Sequence, residues 1–235
     1  MQRDGVWTIV VAAGSGTRFG GPKQLAPLAG ERVLDHSIRS AAAVSEGVTL
    51  VLAPALVGEF ELEVGVNAGS ASGQSSATLE IVAGGDTRSA SVRAGLAVVP
   101  DSASVIVVHD GARPLATVEL FERTITAVRA GADAAIPTVP VTDTIRHIAS
   151  GVVDRSQLVS VQTPQTFNAA KLRAAHEAGG DATDDAGLVE ADGGTVVLVA
   201  GLDANLKITN PDDLAVAEAL LASRTGIDPN DEASS

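Results

Sequence analysis

A largely apolar, β-branched run, Val6–Val11, stops abruptly at Ala12-Ala13-Gly14-Ser15-Gly16-Thr17-Arg18, and Gly20, Gly21, Pro22 and Lys23 follow closely. A run of this kind bounded by turn residues reads as a buried strand. Glycines at its C-terminal end expose backbone N–H groups that can turn toward an anion, and Arg18 and Lys23 bring positive charge to the same place. The spacing separates this loop from commoner ones. A dinucleotide-binding turn wants G-x-G-x-x-G, whereas Gly20 falls one residue late, and a P-loop wants Gly-Lys-Ser/Thr, whereas Lys23 lies between Pro22 and Gln24. The pair Arg18/Lys23 suits a polyphosphate better than the diphosphate bridge of a dinucleotide. Any single Gly-x-Gly is an ordinary turn; the whole string constrains the chain to begin as an α/β fold with a phosphate-gripping loop.

Around that loop the chain is strongly acidic, with a net charge of −13 over 235 residues. Such a balance argues against a nucleic-acid or anionic-membrane surface, and it makes each local cluster of cations more telling. Hydrophobic residues make up 45% but aromatics only 2%, so Ala, Val, Leu and Ile must build the core. The absence of cysteine excludes disulfides, thiol nucleophiles and Cys-based metal sites. No apolar run approaches membrane-spanning length, and the start MQRDGVW lacks the charge and apolar core of a signal peptide. A cytoplasmic protein is the expectation.

Short apolar runs at Val48–Leu52, Leu79–Val82, Val105–Val108, Ala134–Val139 and Val196–Val199 alternate with amphipathic stretches. Leu34, Ile38 and Ala42 share one helical face, as do Val118, Phe121, Ile125 and Val128. Near the end Asn210 reads as an N-cap, Pro211 as the first helical residue, and Asp212 and Asp213 as complements to the helix dipole, with Leu214, Ala217 and Leu221 facing the core. The alternation predicts a Rossmann-like α/β fold, a mostly parallel twisted sheet with helices on both faces. Residues 1–224 read as one domain and 225–235 as a disordered acidic tail. Residues 67–78, small and polar, read as a surface loop. Thr144–Ile148 and Val152–Asp154 around Ala149-Ser150-Gly151 read as a β-hairpin, part of a protruding arm over about 143–160.

Four further clusters fall at strand ends, where open α/β sheets bind ligands. Gly84-Gly85-Asp86-Thr87-Arg88-Ser89-Ala90-Ser91 offers backbone amides for a base and Asp86 or Ser91 for a ribose or phosphate; equally, it is a turn with Asp86 or Thr87 as N-cap. In His109-Asp110-Gly111-Ala112-Arg113-Pro114 a carboxylate and a guanidinium leave a buried strand, which requires either a cleft or mutual pairing. His109, like His36, His147 and His176, reads as structural, and the four show no metal-ligand spacing. The hairpin carries Asp143, Thr144 and Arg155, followed by Thr163-Pro164-Gln165, hydroxyls and a guanidinium suited to a phosphomonoester. Asp203-Ala204-Asn205-Leu206-Lys207 puts a lone lysine just before the capped helix.

With these residues in place, AAGSGTRFGGPKQ resembles the nucleotidyltransferase signature of sugar-nucleotide pyrophosphorylases. GGDTRSASV, HDGARP, DT, DR, TPQ, TDDA and NLKIT follow in the order of the 2-C-methyl-D-erythritol 4-phosphate cytidylyltransferase family, over about residues 6–222. The resemblance implies transfer of cytidylyl from CTP to 2-C-methyl-D-erythritol 4-phosphate with release of pyrophosphate, in non-mevalonate isoprenoid synthesis. It implies Mg²⁺ held mainly by the CTP phosphates, with no protein metal ligand assigned. By the same analogy Arg18, Lys23 and Lys207 hold the triphosphate and stabilise the transition state. Ala12, Ala13, Gly14, Ser15, Gly16, Gly85, Asp86 and Ser91 line the CTP site. Asp110 belongs with them and also faces the acceptor, which Arg113, Thr144, Arg155 and Thr163 position. The family's hairpin reaches into a second subunit, so a homodimer is implied in which Thr144 and Arg155 serve the neighbouring site. The chain departs from the family in a short Arg18–Lys23 loop, in Gly111 where Ala or Ser is usual, and in a short hairpin.

The nearest rival is ribitol 5-phosphate cytidylyltransferase, which shares the nucleotide half of the site; Ala112 and Asp143-Thr144 favour methylerythritol phosphate. A nicotinamide-dependent Rossmann oxidoreductase is disfavoured by the late Gly20 and by Arg18/Lys23. A non-catalytic nucleotide-binding regulator is disfavoured by retention of all three cations.

Overall fold

The computed structural model of the chain describes residues 3–67 and 77–225. The expected surface loop at 67–78 and the expected tail at 225–235 lie almost wholly outside the described residues. The strands are β1 (Val6–Ala12), β2 (Pro27–Leu28), β3 (Glu31–Arg32), β4 (Gly47–Leu52), β5 (Thr78–Ala83), β6 (Val105–Asp110), β7 (Ala134–Pro140), β8 (Arg146–His147), β9 (Gly151–Val152), β10 (Val159–Val161), β11 (Gln165–Asn168) and β12 (Val196–Ala200). The helices are α1 (Val33–Val44), α2 (Pro54–Asn67), α3 (Arg88–Leu96), α4 (Val118–Arg129), α5 (Ala169–Glu177), α6 (Asp185–Ala191) and α7 (Asp212–Thr225).

The main sheet runs β10-β7-β11-β6-β1-β4-β5, with β12 also paired to β7. β5, β4, β1 and β6 are mutually parallel, and β12 is parallel to β7. β1, β4 and β6 are covered on both sides, which is why their sequences are nearly continuous apolar runs rather than alternating ones. On one face Leu34, Phe60, Phe121 and Ile125 of α1, α2 and α4 pack against the sheet. On the other, Val92, Leu172 and Val189 of α3, α5 and α6 do so. The expected α/β architecture with helices on both faces is therefore present.

One arrangement differs from the expectation. β10 and β11 are strands without a counterpart in the sequence pattern, and β11 is inserted antiparallel between β6 and β7. Its sequence, Gln165-Thr166-Phe167-Asn168, is polar, yet its first three residues are buried, and the Gln165 amide and the Thr166 hydroxyl each donate to a side chain of another segment. Thr166 donates to Thr124 Oγ1 of α4 at 2.7 Å, and Gln165 donates to Asp184 Oδ2 at 3.3 Å.

The arm is present and its hairpin core is small. β8 and β9 pair over two residues each, shorter than the expected strands, and Gly151 is in the left-handed region at φ +96°. Ile148 and Val152 on it are exposed. α7 packs through buried Ala217 and half-buried Leu214 and Leu221, as its spacing predicts. At its start the Asp213 carboxylate accepts from the N–H groups of Thr209 and Asn210 at 2.6 and 2.8 Å, the bond that a capping-box carboxylate three residues on makes to the N-cap.

Candidate active site

The glycine loop leaves the C-terminal end of β1 and folds back on itself. Gly16, at φ +64°, accepts from the N–H groups of Phe19, Gly20 and Gly21, and a Cβ at Gly16 would stand 1.9 Å from Gly21 O. Only glycine fits there. The loop ends in a single 3₁₀ turn, Lys23–Leu25, and buried Gln24 donates to Ala12 O at 2.9 Å. That bond pins the turn carrying Lys23 to the end of β1.

Opposite lies the loop between β5 and α3. Thr87, not Asp86, is the N-cap of α3, its hydroxyl accepting from Ala90 N. Ser91 accepts from Gly85 N at 3.2 Å and donates to Thr87 O at 3.0 Å, so it holds the loop's shape from behind. The two loops touch: a Cβ on Gly84 would lie 2.4 Å from that of Ala13.

Between them is a cavity of about 540 Å³ lined by Ala12 to Ser15, Lys23, Gln24, Gly85 to Arg88, Ser91, Asp110 and Lys207. Asp110, at the end of β6, is its electrostatic centre. Lys207 Nζ stands 2.8 Å from Asp110 Oδ2, Arg113 Nε 3.6 Å from the same oxygen, and Arg88 Nε 3.9 Å from Oδ1. Burial would raise the carboxyl's pKa, but Lys207, Arg88 and Arg113 outweigh it and hold the group far below the usual carboxylate range. Lys23 is pushed below the ordinary lysine value by its partial burial and by the facing Lys207, with Arg18 adding in the same sense against Asp110.

The strand ends are sewn together beneath the cavity. Thr163 is buried, and its hydroxyl accepts from Asp110 N at 3.0 Å and bonds His109 Nδ1 at 3.0 Å. The Asn205 side-chain amide donates to Thr163 O at 2.9 Å, and its backbone carbonyl accepts from Arg113 Nη1 at 2.8 Å. His109 is wholly buried against Phe121 and has its pKa lowered to about 4, chiefly by burial, so it is neutral and structural as expected. His36 bonds Leu28 O, His147 accepts from the arm's own turn, and His176 pairs with Asp185, so those three are structural too.

Of the sequence-predicted residues, the structure brings Ala12, Ala13, Gly14, Ser15, Lys23, Gly85, Asp86, Ser91, Asp110 and Lys207 to one cavity. Gly16 shapes the loop from outside the lining, Arg18 is exposed on it, and Arg113 braces Asp110. Thr163 does not present its hydroxyl to the cavity, because His109 and Asp110 N engage it. Thr144 and Arg155 are exposed on the arm and are not brought to this cavity; Arg155 donates to Thr142 O and lines a separate cavity of about 670 Å³ at the arm's base. Sequence reasoning missed Gln24 and Arg88. Both lie inside quoted motifs, but only their partners across the fold reveal what they do.

A family model described as 2-C-methyl-D-erythritol 4-phosphate cytidylyltransferase matches residues 6–223. A protein of that name from Rubrobacter xylanophilus is 42% identical over 234 residues, covering 94% of this chain and 96% of its own. A bifunctional enzyme IspD/IspF of Clavibacter michiganensis is 42% identical over 228 residues, 93% of this chain, and the chain spans only 55% of that relative's length. Among solved structures, the 4-diphosphocytidyl-2C-methyl-D-erythritol synthase of Anaerococcus prevotii superposes with a TM-score of 0.77 at 27% identity, covering 93% of this chain and 99% of that one.

Proposed function

The chain belongs to the 2-C-methyl-D-erythritol 4-phosphate cytidylyltransferase family, and from that premise we propose that it transfers the cytidylyl group of CTP to 2-C-methyl-D-erythritol 4-phosphate. The products are 4-CDP-2-C-methyl-D-erythritol and pyrophosphate, in non-mevalonate isoprenoid synthesis. The observation that carries this reading is the facing pair Lys23 and Lys207 across a glycine loop, with one carboxylate, Asp110, between three cations. A half-buried ammonium, Lys23, whose proton affinity is lowered by burial and by a second ammonium facing it is a poor arrangement for an empty pocket and a good one for a polyphosphate.

The reaction needs no covalent intermediate. An oxygen of the acceptor phosphate attacks the α-phosphorus of CTP. The new P–O bond forms as the bond to the β-phosphate breaks, and pyrophosphate leaves in line. The attacking phosphate is already ionised at neutral pH, so no general base is required. The barrier is repulsion between anions plus charge gathering around phosphorus. Lys23 and Lys207, with Arg18 exposed on the glycine loop, oppose both. Ala13 to Ser15 and Gly85–Asp86 line the cavity; in this reading the first segment would meet the phosphates and the second the nucleoside.

Among the described residues no group of three or more His, Asp or Glu could hold a metal ion. Asp110 is already committed to cations. In this reading Mg²⁺ is an ion carried mainly by the CTP phosphates, where it would supply further charge neutralisation. No helix of the described residues is long and apolar enough to cross a membrane. A cytoplasmic homodimer belongs to the same proposal: exposed Ile148 and Val152 on the arm would be covered, and the arm would carry Thr144 and Arg155 to the neighbouring subunit's cavity.

The test is pyrophosphate release with Mg²⁺ and CTP, offering methylerythritol phosphate and ribitol 5-phosphate in separate reactions. Release with methylerythritol phosphate is expected. Release only with ribitol 5-phosphate would move the chain to the rival acceptor, and none with either would overturn the reading.

A further inference from the structure

Arg88 is the first residue of α3, at the positive end of that helix's dipole, where a cation is locally unfavourable. It is nonetheless three-quarters buried, with a side chain 24% exposed. Its tertiary partner explains the placement. Nη1 donates to Asp185 Oδ2 at 2.7 Å, and Asp185, the first residue of α6, is wholly buried. The other oxygen of Asp185 accepts from His176 Nε2 at 3.0 Å, so both carboxylate oxygens are fixed. With Nη1 held there, Arg88 Nε faces Asp110 Oδ1 at 3.9 Å. The approaches of Lys207 and Arg113 to Asp110, at 2.8 and 3.6 Å, are to Oδ2. The two oxygens of Asp110 are thus divided between cations from different parts of the fold.

We infer that Arg88 is a positioning residue for cytidylyl transfer: Asp185 anchors it so that its charge faces Asp110 Oδ1, while Lys207 pairs with Oδ2 and keeps an ammonium free to face the phosphates. The inference rests on the proposed reaction. Without Arg88, Asp110 has a second oxygen and more uncompensated charge to offer Lys207, and it draws the ammonium toward itself and away from the transferring group. The loss then falls on the chemical step, because Lys207 opposes charge that develops there. Asp185 acts through Arg88 and has no contact of its own with the cavity lining's other charges.

Two readouts test it. In the pyrophosphate assay R88M is expected to lower kcat roughly tenfold or more while the KM for CTP changes by less than about threefold, with R88K recovering part of the loss. D185N is expected to lower kcat as well, and to add nothing in the R88M background, as a double-mutant cycle reports. A wild-type kcat in R88M, a raised KM with kcat intact, or independent multiplying effects of the two variants would each overturn the inference. If D185N does not fold, R88M against R88K decides. The second readout needs no turnover. The chain has three lysines, so reductive ¹³C-methylation gives a Lys207 dimethylamine resonance that K207R identifies. That resonance is expected to move in R88M. A stationary resonance overturns the positioning role even where the wild type is active, and a moving one in an enzyme that releases no pyrophosphate would leave the geometry standing and sink the proposed reaction instead.

Discussion

Lys23 and His109 show how burial divides the polar residues of the site into those that act and those that brace. Lys23 is half-exposed and makes no buried contact that the fold depends on, while its charge lies beside that of Lys207. K23A is therefore expected to unfold within about 0.5 kcal/mol of the wild type and to lose roughly 10²-fold or more in kcat; thermal unfolding and pyrophosphate release measure the two. His109 is the opposite case. Its pKa falls from 6.5 to about 4, first because it is buried and then because Arg113 opposes its charge against the pull of Asp110. Between those values the unfolded chain binds a proton that the folded chain refuses, so stability drops as pH falls from 6.5 toward 4, by about 3 kcal/mol from this group. Denaturant unfolding of H109Q over that range should give a shallower slope than the wild type; an unchanged slope would assign the acid sensitivity elsewhere.

At the level of elements, the glycine loop is the most sharply determined piece. A methyl group at Gly16 would overlap Gly21 O, and the residue is at positive φ. G16A is expected to displace the loop and weaken CTP binding by roughly tenfold or more, with little change in the melting temperature because the loop lies outside the core; calorimetric titration with CTP checks it. This loop was legible in the sequence because its chemistry is local: a strand, glycines and cations within one short stretch. The strands β1, β4, β6 and β7 were legible for a related reason, since burial on both faces demands apolar runs. β11 was not. Gln165-Thr166-Phe167 is buried through hydrogen bonds to Thr124 and Asp184, and no periodicity announces partners on other elements. Arg88 escaped for the same reason: Asp185 is 97 residues away in sequence. Thr163, expected to position the acceptor, has its hydroxyl bracing Asp110 instead of facing the cavity, a distinction that only the fold can draw.

For the whole molecule, the separation of the arm from the cavity of its own chain makes subunit exchange testable. If the partner's Arg155 completes each site, a K23A chain and an R155A chain are each inactive alone. In a mixed dimer, one of the two sites then has an intact Lys23 and an intact Arg155. Mixing the two after subunit exchange should restore about one quarter of wild-type turnover; no recovery would mean that the arm does not work in trans. The antiparallel insertion of β11 has a different consequence, for the order in which the molecule is made. β5, β4, β1 and β6 come from the first half of the chain and can pair as soon as it is synthesised, whereas β7 reaches β6 only through β11. Until Asn168 has left the ribosome, β6 presents an unpaired edge, an exposure that invites pairing with other chains. Pulse-labelled hydrogen exchange during refolding should find the amides of β1, β4 and β6 protected before those of β7 and β12. The half-molecule that carries the glycine loop would thus be in place before Lys207, which lines the same cavity, is joined to it.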